Sequence, residues 1–350
     1  MALSLSATIS DFTKQAIFAW GVRWNQASMT LADKLAPATT VVPSNFETET
    51  FITMSATPPA VEYSEGDVPV GEIESTSPYV LRNKLFGRAI KIGRSNFADM
   101  DNNPASKAMF LQKVAGLATV MKNVKSKALK DLIRGVGLYD SANTAKDVNA
   151  FDGVDFFSTS GRAMGSNLID GATTFDHSTL RSEYDTIINT FMSHKALGIE
   201  SLESGTSSTY LRDMPPDRFI ILCNPSQKRV IEEAWLAQMI GALFSSASAS
   251  AGGVSSINNV IAAQNVLTVI PVQDIPASST GAGYYVFDVS DSLPGETPLV
   301  FLDREAPGIE LLGPGSDTYT LAEIYYYKAR GRFTWGWGHP AKAIFVDKSS

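Results

Sequence analysis

The sequence predicts an α+β fold, and three stretches carry that prediction. Residues 103–135 repeat apolar side chains at three- and four-residue spacing, the mark of one long amphipathic helix. From Pro216 to Leu302, apolar strand-like runs surround one helical segment. Tyr319–Asp347 is written almost entirely in strand residues, so it must be paired and covered.

Residues 1–60 read as an arm. Phe12, Ala16, Ala19 and Trp20 predict one apolar stripe of a short helix, and Ala27–Ala36 a further turn or two. Pro37, Pro43, Pro58 and Pro59 then interrupt any longer element. The stretch FETETFITM alternates as a strand does, with no partner close in sequence. Such an arm is expected to bury little within its own chain and to need a core or a neighbouring subunit to lie on.

Next come charges sorted by sign. Glu62, Glu65, Asp67, Glu72 and Glu74 place five negative charges within thirteen residues, and Arg82, Lys84, Arg88, Lys91 and Arg94 then place five positive ones within thirteen. Joined by STSPY, the two legs resemble a long hairpin. The legs either neutralise one another, each exposed pair being worth about 0–1 kcal/mol, or lie across an adjacent subunit and set its register.

Asn103 and Pro104 begin the long helix as cap and first residue, and Gly135 stops it. Its apolar positions include Met109, Leu111, Val114, Leu117, Ala118, Met121, Val124, Ala128, Leu129 and Leu132, with lysines over most of the remaining surface. Residues 139–175 are loop-like, with Phe156 and Phe157 as anchors beside the Asp152–Gly153 turn pair. A second helix is expected from about Ser178 to Phe191, and loop again over 198–215.

Arg218–Cys223 reads as a buried strand, Asn224–Pro225 as the start of a helix continuing over Arg229–Phe244, and 245–256 as a low-complexity loop. Asn265–Val272, Gly283–Val289 and Thr297–Leu302 read as strands. In the tail, Tyr325 and Tyr327 share one strand face, and Trp335 and Trp337 repeat the period with Gly336 and Gly338 opposite. The glycines leave one side bare for a close approach. These aromatics are either an ordinary core strand pair or one face of an interface.

Composition and motifs narrow the function. The chain has 350 residues, 44% hydrophobic and only 19% charged, which suits a folded soluble protein with extensive protein contact. A net charge of −7 without a Lys/Arg run argues against gripping nucleic acid. One cysteine, Cys223, excludes an intrachain disulfide and fits a reducing compartment. No signal-like start or membrane-length apolar run is present. His177, His194 and His339 lack ligand spacing, and no phosphate-binding glycine pattern occurs. Asp99, Asp101, Asp152 and Asp155 do not fit a calcium loop. No enzyme, cofactor or metal is expected.

In this order of parts the chain resembles the major capsid proteins of tailed bacteriophages with the HK97 fold, and among them the major head subunits of Mu-like phages. The resemblance rests most on FDGVDFFSTS at 151–160, similar to that group's Asp-Gly-x-x-x-Phe-Ser-Thr stretch, and on the tail IYYYKARGRFTWGWGHPAKAIF. It implies an N-terminal arm over 1–60, an extended E-loop over 61–95, and a peripheral domain over 96–212 containing the long, or spine, helix. An axial domain over 213–310 and a return to the peripheral domain over 311–350 would follow.

The function it implies is self-assembly as hexamers and pentamers into an icosahedral shell. The shell would enclose double-stranded DNA without binding it specifically, as part of a virion assembled in the host cytoplasm. With no long segment ahead of the arm, a separate scaffold is expected, beside portal and decoration proteins. Candidate inter-subunit contacts are Trp20, Trp24, Glu62, Glu65, Asp67, Glu72, Glu74, Arg82, Lys84, Arg88, Tyr325, Tyr327, Trp335 and Trp337. The competing readings are an encapsulin-like compartment, a tail-tube or decoration subunit and, from another class, a soluble hydrolase.

Overall fold

A computed structural model describes residues 2–51, 79–96, 103–134, 155–159, 164–195, 210–212, 214–235, 239–241, 256–258, 266–277, 282–290, 296–312 and 324–349. Two mixed sheets and the helices on their faces make the fold, which is α+β.

The chain opens with α1 (Ala2–Gln26), then the single turn α2 (Leu31–Lys34) and strand β1 (Thr39–Pro43). A capping box starts α2, with the Thr30 amide donating to Asp33 Oδ2 at 2.8 Å. Strands β2 (Thr48–Phe51) and β3 (Tyr79–Arg82) pair antiparallel, and β4 (Lys84–Gly93) follows directly. The partner that FETETFITM lacked nearby is thus about thirty residues away, one step before β4.

The spine helix is α3 (Pro104–Ile133), whose first turn is capped by Asn103 Oδ1 accepting from the amides of Ala105 and Ser106. It buries Val114, Leu117, Ala118, Met121, Ala128, Leu129 and Leu132, while Met109 lies off the stripe and is exposed.

The first sheet runs β1, β11 (Leu299–Leu312), β12 (Ile324–Trp337), β4, all antiparallel except β1 with β11. Helix α3 lies on one face of it, and α1 lies along α3. Phe12 and Ala16 pack with Val114, Ile92, Tyr325 and Tyr327, and Trp20 with the larger core around Leu117 and Met121. At about 1.5–3 kcal/mol per large buried apolar side chain, this seam is a substantial part of the fold.

The second sheet has the order β5 (Leu168–Asp170), β13 (Ala343–Asp347), β10 (Gly283–Asp288), β6 (Arg218–Cys223), β9 (Val266–Pro271). Helices α4 (His177–Ser193) and α5 (Lys228–Trp235) cover one face of it with Leu180, Tyr184, Ile187, Phe191, Ile231 and Trp235. Its other face shares the core of the first sheet, through Tyr285, Phe287 and Phe345. Phe156 stacks on Trp337 with centroids 4.0 Å apart, and Phe157 contacts Trp337, Tyr285 and Phe345. The expected anchor therefore joins the two sheets.

Four expectations need correction. The arm buries a full stripe within its own chain, because α1 has 25 residues and finds a partner in α3; Ala19 lies at the edge of that stripe. The helix expected over Arg229–Phe244 is described over Lys228–Trp235 and does not reach Phe244, because Met239–Gly241 (β7) is extended and pairs with Ser256–Asn258 (β8). Thr297–Leu302 is only the first part of a strand extending to Leu312. The tail is not one strand pair: β12 lies in the first sheet and β13 in the second, the 3₁₀ turn Pro340–Lys342 between them.

Candidate inter-subunit surfaces

The aromatic tail faces inward. Tyr325, Tyr327, Trp335 and Trp337, expected as inter-subunit contacts, are buried within their own chain. Helix α3 and α1 supply the cover: Trp335 Nε1 donates to the Lys125 carbonyl at 3.1 Å, and Phe12 meets Tyr327 edge-on with centroids 5.5 Å apart. Burial pushes the Tyr327 phenol up to about 12, against the lowering effect of its hydrogen bond with Thr13.

The bare glycine side is filled as well. A Cβ on Gly336 would strike the Leu81 side chain, and one on Gly338 would strike the Thr297 carbonyl. The approach at Gly336 is therefore by a side chain and that at Gly338 by backbone.

The opposite face of β12 is half-buried and charged. Arg330 Nε contacts Glu305 Oε1 at 2.8 Å and Glu310 Oε2 at 3.5 Å, while Lys328 and Arg332 reach Glu310 and Glu305 at 4.0 and 3.8 Å. These pairs satisfy one another across β11 and β12, each contributing little at the surface.

The basic leg becomes the edge of the first sheet. Its acidic counterpart, Glu62, Glu65, Asp67, Glu72 and Glu74, lies outside the described residues. Arg82 meets Glu47 of β2's approach instead, at 2.8 Å, and the guanidinium holds that carboxyl below its ordinary range. Along β4, the pairing with β12 sets Lys84 and Arg88 opposite Phe333 and Ala329 on the α3 side, and Lys91 opposite Tyr326 on the other. Strand alternation thus splits the cations between two faces, with Lys84 and Arg88 on the same one.

Helix α1 carries a further apolar surface that was not among the expected contacts. Trp20 is buried, and Trp24 is half-buried and stacked on it at 5.9 Å, with Lys122 Nζ 5.4 Å from the Trp24 ring. On the far side Ile17, Phe18 and Val22 are exposed, Phe18 by 74%. Phe18 and Val22 are one helical turn apart. The available signal was apolar residues on both sides of the 12–24 segment, more than one buried stripe requires.

Buried ionic groups occupy structural positions. Asp288 Oδ2 accepts from Arg212 Nη2 at 2.7 Å and lies 3.2 Å from Lys342 Nζ, while its Oδ1 accepts from Ser290. Glu183 meets Lys348 Nζ at 2.7 Å and accepts from the Tyr284 hydroxyl at 2.7 Å. The Arg212, Asp288 and Lys342 side chains are at most 1% exposed, closed to any substrate. His194 is buried beside the Ser166 carbonyl, and His177 sits 3.4 Å from Glu233. Burial pushes the Cys223 thiol up to about 12, so it is a buried apolar-like group and no nucleophile.

Among the described residues no group of three His, Cys, Asp or Glu could hold a metal ion, and no helix is long and apolar enough to cross a membrane. Asp99, Asp101 and Asp152 lie outside the described residues.

With this geometry in place, the chain is similar to several solved shell structures. The capsid of the cyanophage P-SCSP1u matches at 9% identity over 92% of this chain and 88% of that one, with a TM-score of 0.48. A virus-like particle from Pyrococcus furiosus matches at 8% identity over 95% and 98%, with a TM-score of 0.47. The procapsid of bacteriophage JBD30 matches at 14% identity over 97% and 75%, with a TM-score of 0.43. No protein-family model matches the chain, and no curated protein matches it in sequence.

Proposed function

We propose that the chain is the major capsid subunit of a tailed bacteriophage, of HK97 type and nearest the Mu-like head subunits. It would assemble as hexamers and pentamers into an icosahedral shell around double-stranded DNA. The observation that carries this reading is the outward stripe Ile17, Phe18 and Val22 on a helix whose inner stripe is already buried. Apolar area in excess of what the fold needs marks a contact surface.

The rest of the architecture supports the same reading. A 30-residue helix lies across a four-stranded sheet, and at the sheet's edge stands β4, which carries the basic leg of the sign-sorted segment 62–94. The motif resemblance at 151–160 includes Phe156 and Phe157, which join the two sheets. Arg82, Lys84 and Arg88 would be charges that meet a neighbour. Scaffold, portal and decoration proteins would be further partners, and the net charge of −7 suits a wall that encloses DNA without gripping it.

An encapsulin-like compartment is the second reading, because it would use the same architecture. Particles recovered from the native source distinguish the two: nuclease-protected genomic DNA inside them supports the capsid reading, and packaged enzyme without DNA overturns it.

A further inference from the structure

A cleft of about 570 Å³ opens between the end of α1, α2, one face of α3 and the chain just after β9. We infer that this cleft is a binding site for a phosphate-bearing polyanion, a use independent of the shell assignment. Its size lies within the range of small-ligand sites, about 300–1,000 Å³.

Charge is the first argument. Arg23, Lys34, Lys122 and Lys130 line the cleft, and no carboxylate is among the described residues that do. Lys130 is offset by Asp274 at 2.6 Å, whereas no carboxylate among the described residues pairs with Arg23, Lys34 or Lys122. Three uncompensated cations around one concavity stand against a chain of net charge −7. Low-dielectric walls focus such a field outward and raise the local concentration of anions.

Hydroxyls alternate with the cations on α3. Thr119, Lys122, Ser126 and Lys130 are spaced three and four residues apart on α3, so they form one row along the cleft. The Thr119 hydroxyl is buried and has no hydrogen-bond partner among the described residues. A buried hydroxyl without a partner costs about 1–3 kcal/mol, and because Thr119 Oγ1 is closed to solvent, an acceptor oxygen in the cleft relieves that cost only once the side chain turns toward it.

Together these features select the ligand class. A single carboxylate matches one cation, whereas tripolyphosphate or successive phosphodiesters match three and offer acceptor oxygens to the hydroxyl row. Trp24 is turned toward Lys122 and is not in the lining, so base stacking is not part of the recognition.

The test uses the full chain with two probes, inorganic tripolyphosphate followed by calorimetry and an eight-nucleotide DNA single strand followed by fluorescence anisotropy, each over a salt series. Saturable binding of either is expected, with a log–log salt slope of about −2 for the strand if three cations contact it. Lys34→Gln with Lys122→Gln should weaken binding tenfold or more, while Lys127→Gln, also on α3 but outside the cleft, should change it less than twofold. Unchanged melting curves would show that each variant is folded.

Tripolyphosphate binding alone identifies a free phosphate compound, and binding of the strand as well identifies a nucleic-acid backbone; both support the site. No saturable binding, equal loss in Lys127→Gln, or competition by oligoglutamate as effective as by tripolyphosphate would overturn it.

Discussion

The indole of Trp335 donates its Nε1 hydrogen to the backbone carbonyl of Lys125, 3.1 Å away, tying the central strand of the first sheet to the middle of the spine helix. The Lys125 ammonium returns over the same strands, 4.0 Å from the Phe301 ring centroid and 5.8 Å from that of Trp335. Burial lowers the Lys125 pKa and raises that of nearby Asp303, each opposed by the other's charge.

Trp335→Phe should therefore cost about 0.5–1.5 kcal/mol for the lost hydrogen bond, plus a smaller packing loss. Trp335→Ala should cost about 3–5 kcal/mol by opening a cavity at the helix–sheet seam. Urea denaturation of the dissociated subunit measures both, and equal losses in the two variants would show that packing plays no part.

Gly336 and Gly338 should respond differently to alanine. At Gly336 the obstacle is the side chain of Leu81, which can move, so a loss of about 1–3 kcal/mol is expected. Trimming Leu81 to Ala in the same chain should make the second substitution less costly than it is alone. At Gly338 the obstacle is the Thr297 carbonyl oxygen, which also accepts the His339 amide at 2.8 Å. Gly338→Ala should be the more damaging, with no rescue by Leu81→Ala.

Much of this was legible beforehand, for reasons visible in particular residues. Asn103 and Pro104 marked the spine helix because a cap and a proline act locally, and Arg218–Cys223 was plain because β6 is buried on both faces. The division of the tail between two sheets was not legible, since it depends on the turn at His339–Lys342 and on pairing with β5 and β10 far away in the chain.

Periodicity placed Tyr325 and Tyr327 on one face, but it does not say whether α1 or a neighbour covers that face. The outward stripe of α1 was missed because the inner stripe, Phe12, Ala16 and Trp20, already accounted for an amphipathic helix. Lys34 and Lys122 come from separate elements, so no spacing reveals the cleft they share.

Asp288 should be the least replaceable charge. It faces both Arg212 and Lys342 in a site closed to water, so Asp288→Asn takes away the carboxylate that the two buried cations share. Removing one partner of such a set costs about 3–5 kcal/mol. Lys342→Met should cost less, because Arg212 still matches the carboxylate. Thermal melts of the two variants test this order, and a larger loss in Lys342→Met would refute it.

Alkaline pH should unfold the protein more steeply than exposed groups alone allow. Burial raises the Cys223 thiol from 9.0, and the Tyr285 and Tyr327 phenols from 10.0, to about 12. Tyr284 is raised further by burial and by the charge of Glu183. The unfolded chain then releases protons that the folded chain keeps, so stability is full below pH 9 and falls as pH rises toward about 12. Each group contributes up to about 1.4 kcal/mol per pH unit in its window. Denaturation free energies at successive pH values should show this fall, and Cys223→Ala should lessen it from its onset near pH 9.

Whether this chain builds closed shells is decided by negative-stain electron microscopy of the purified protein at high concentration. Closed particles of regular size are expected, lost when Phe18→Asp and Val22→Asp are introduced together while the subunit stays folded. A protein that remains monomeric at every concentration and salt tried, with or without those substitutions, would contradict shell building.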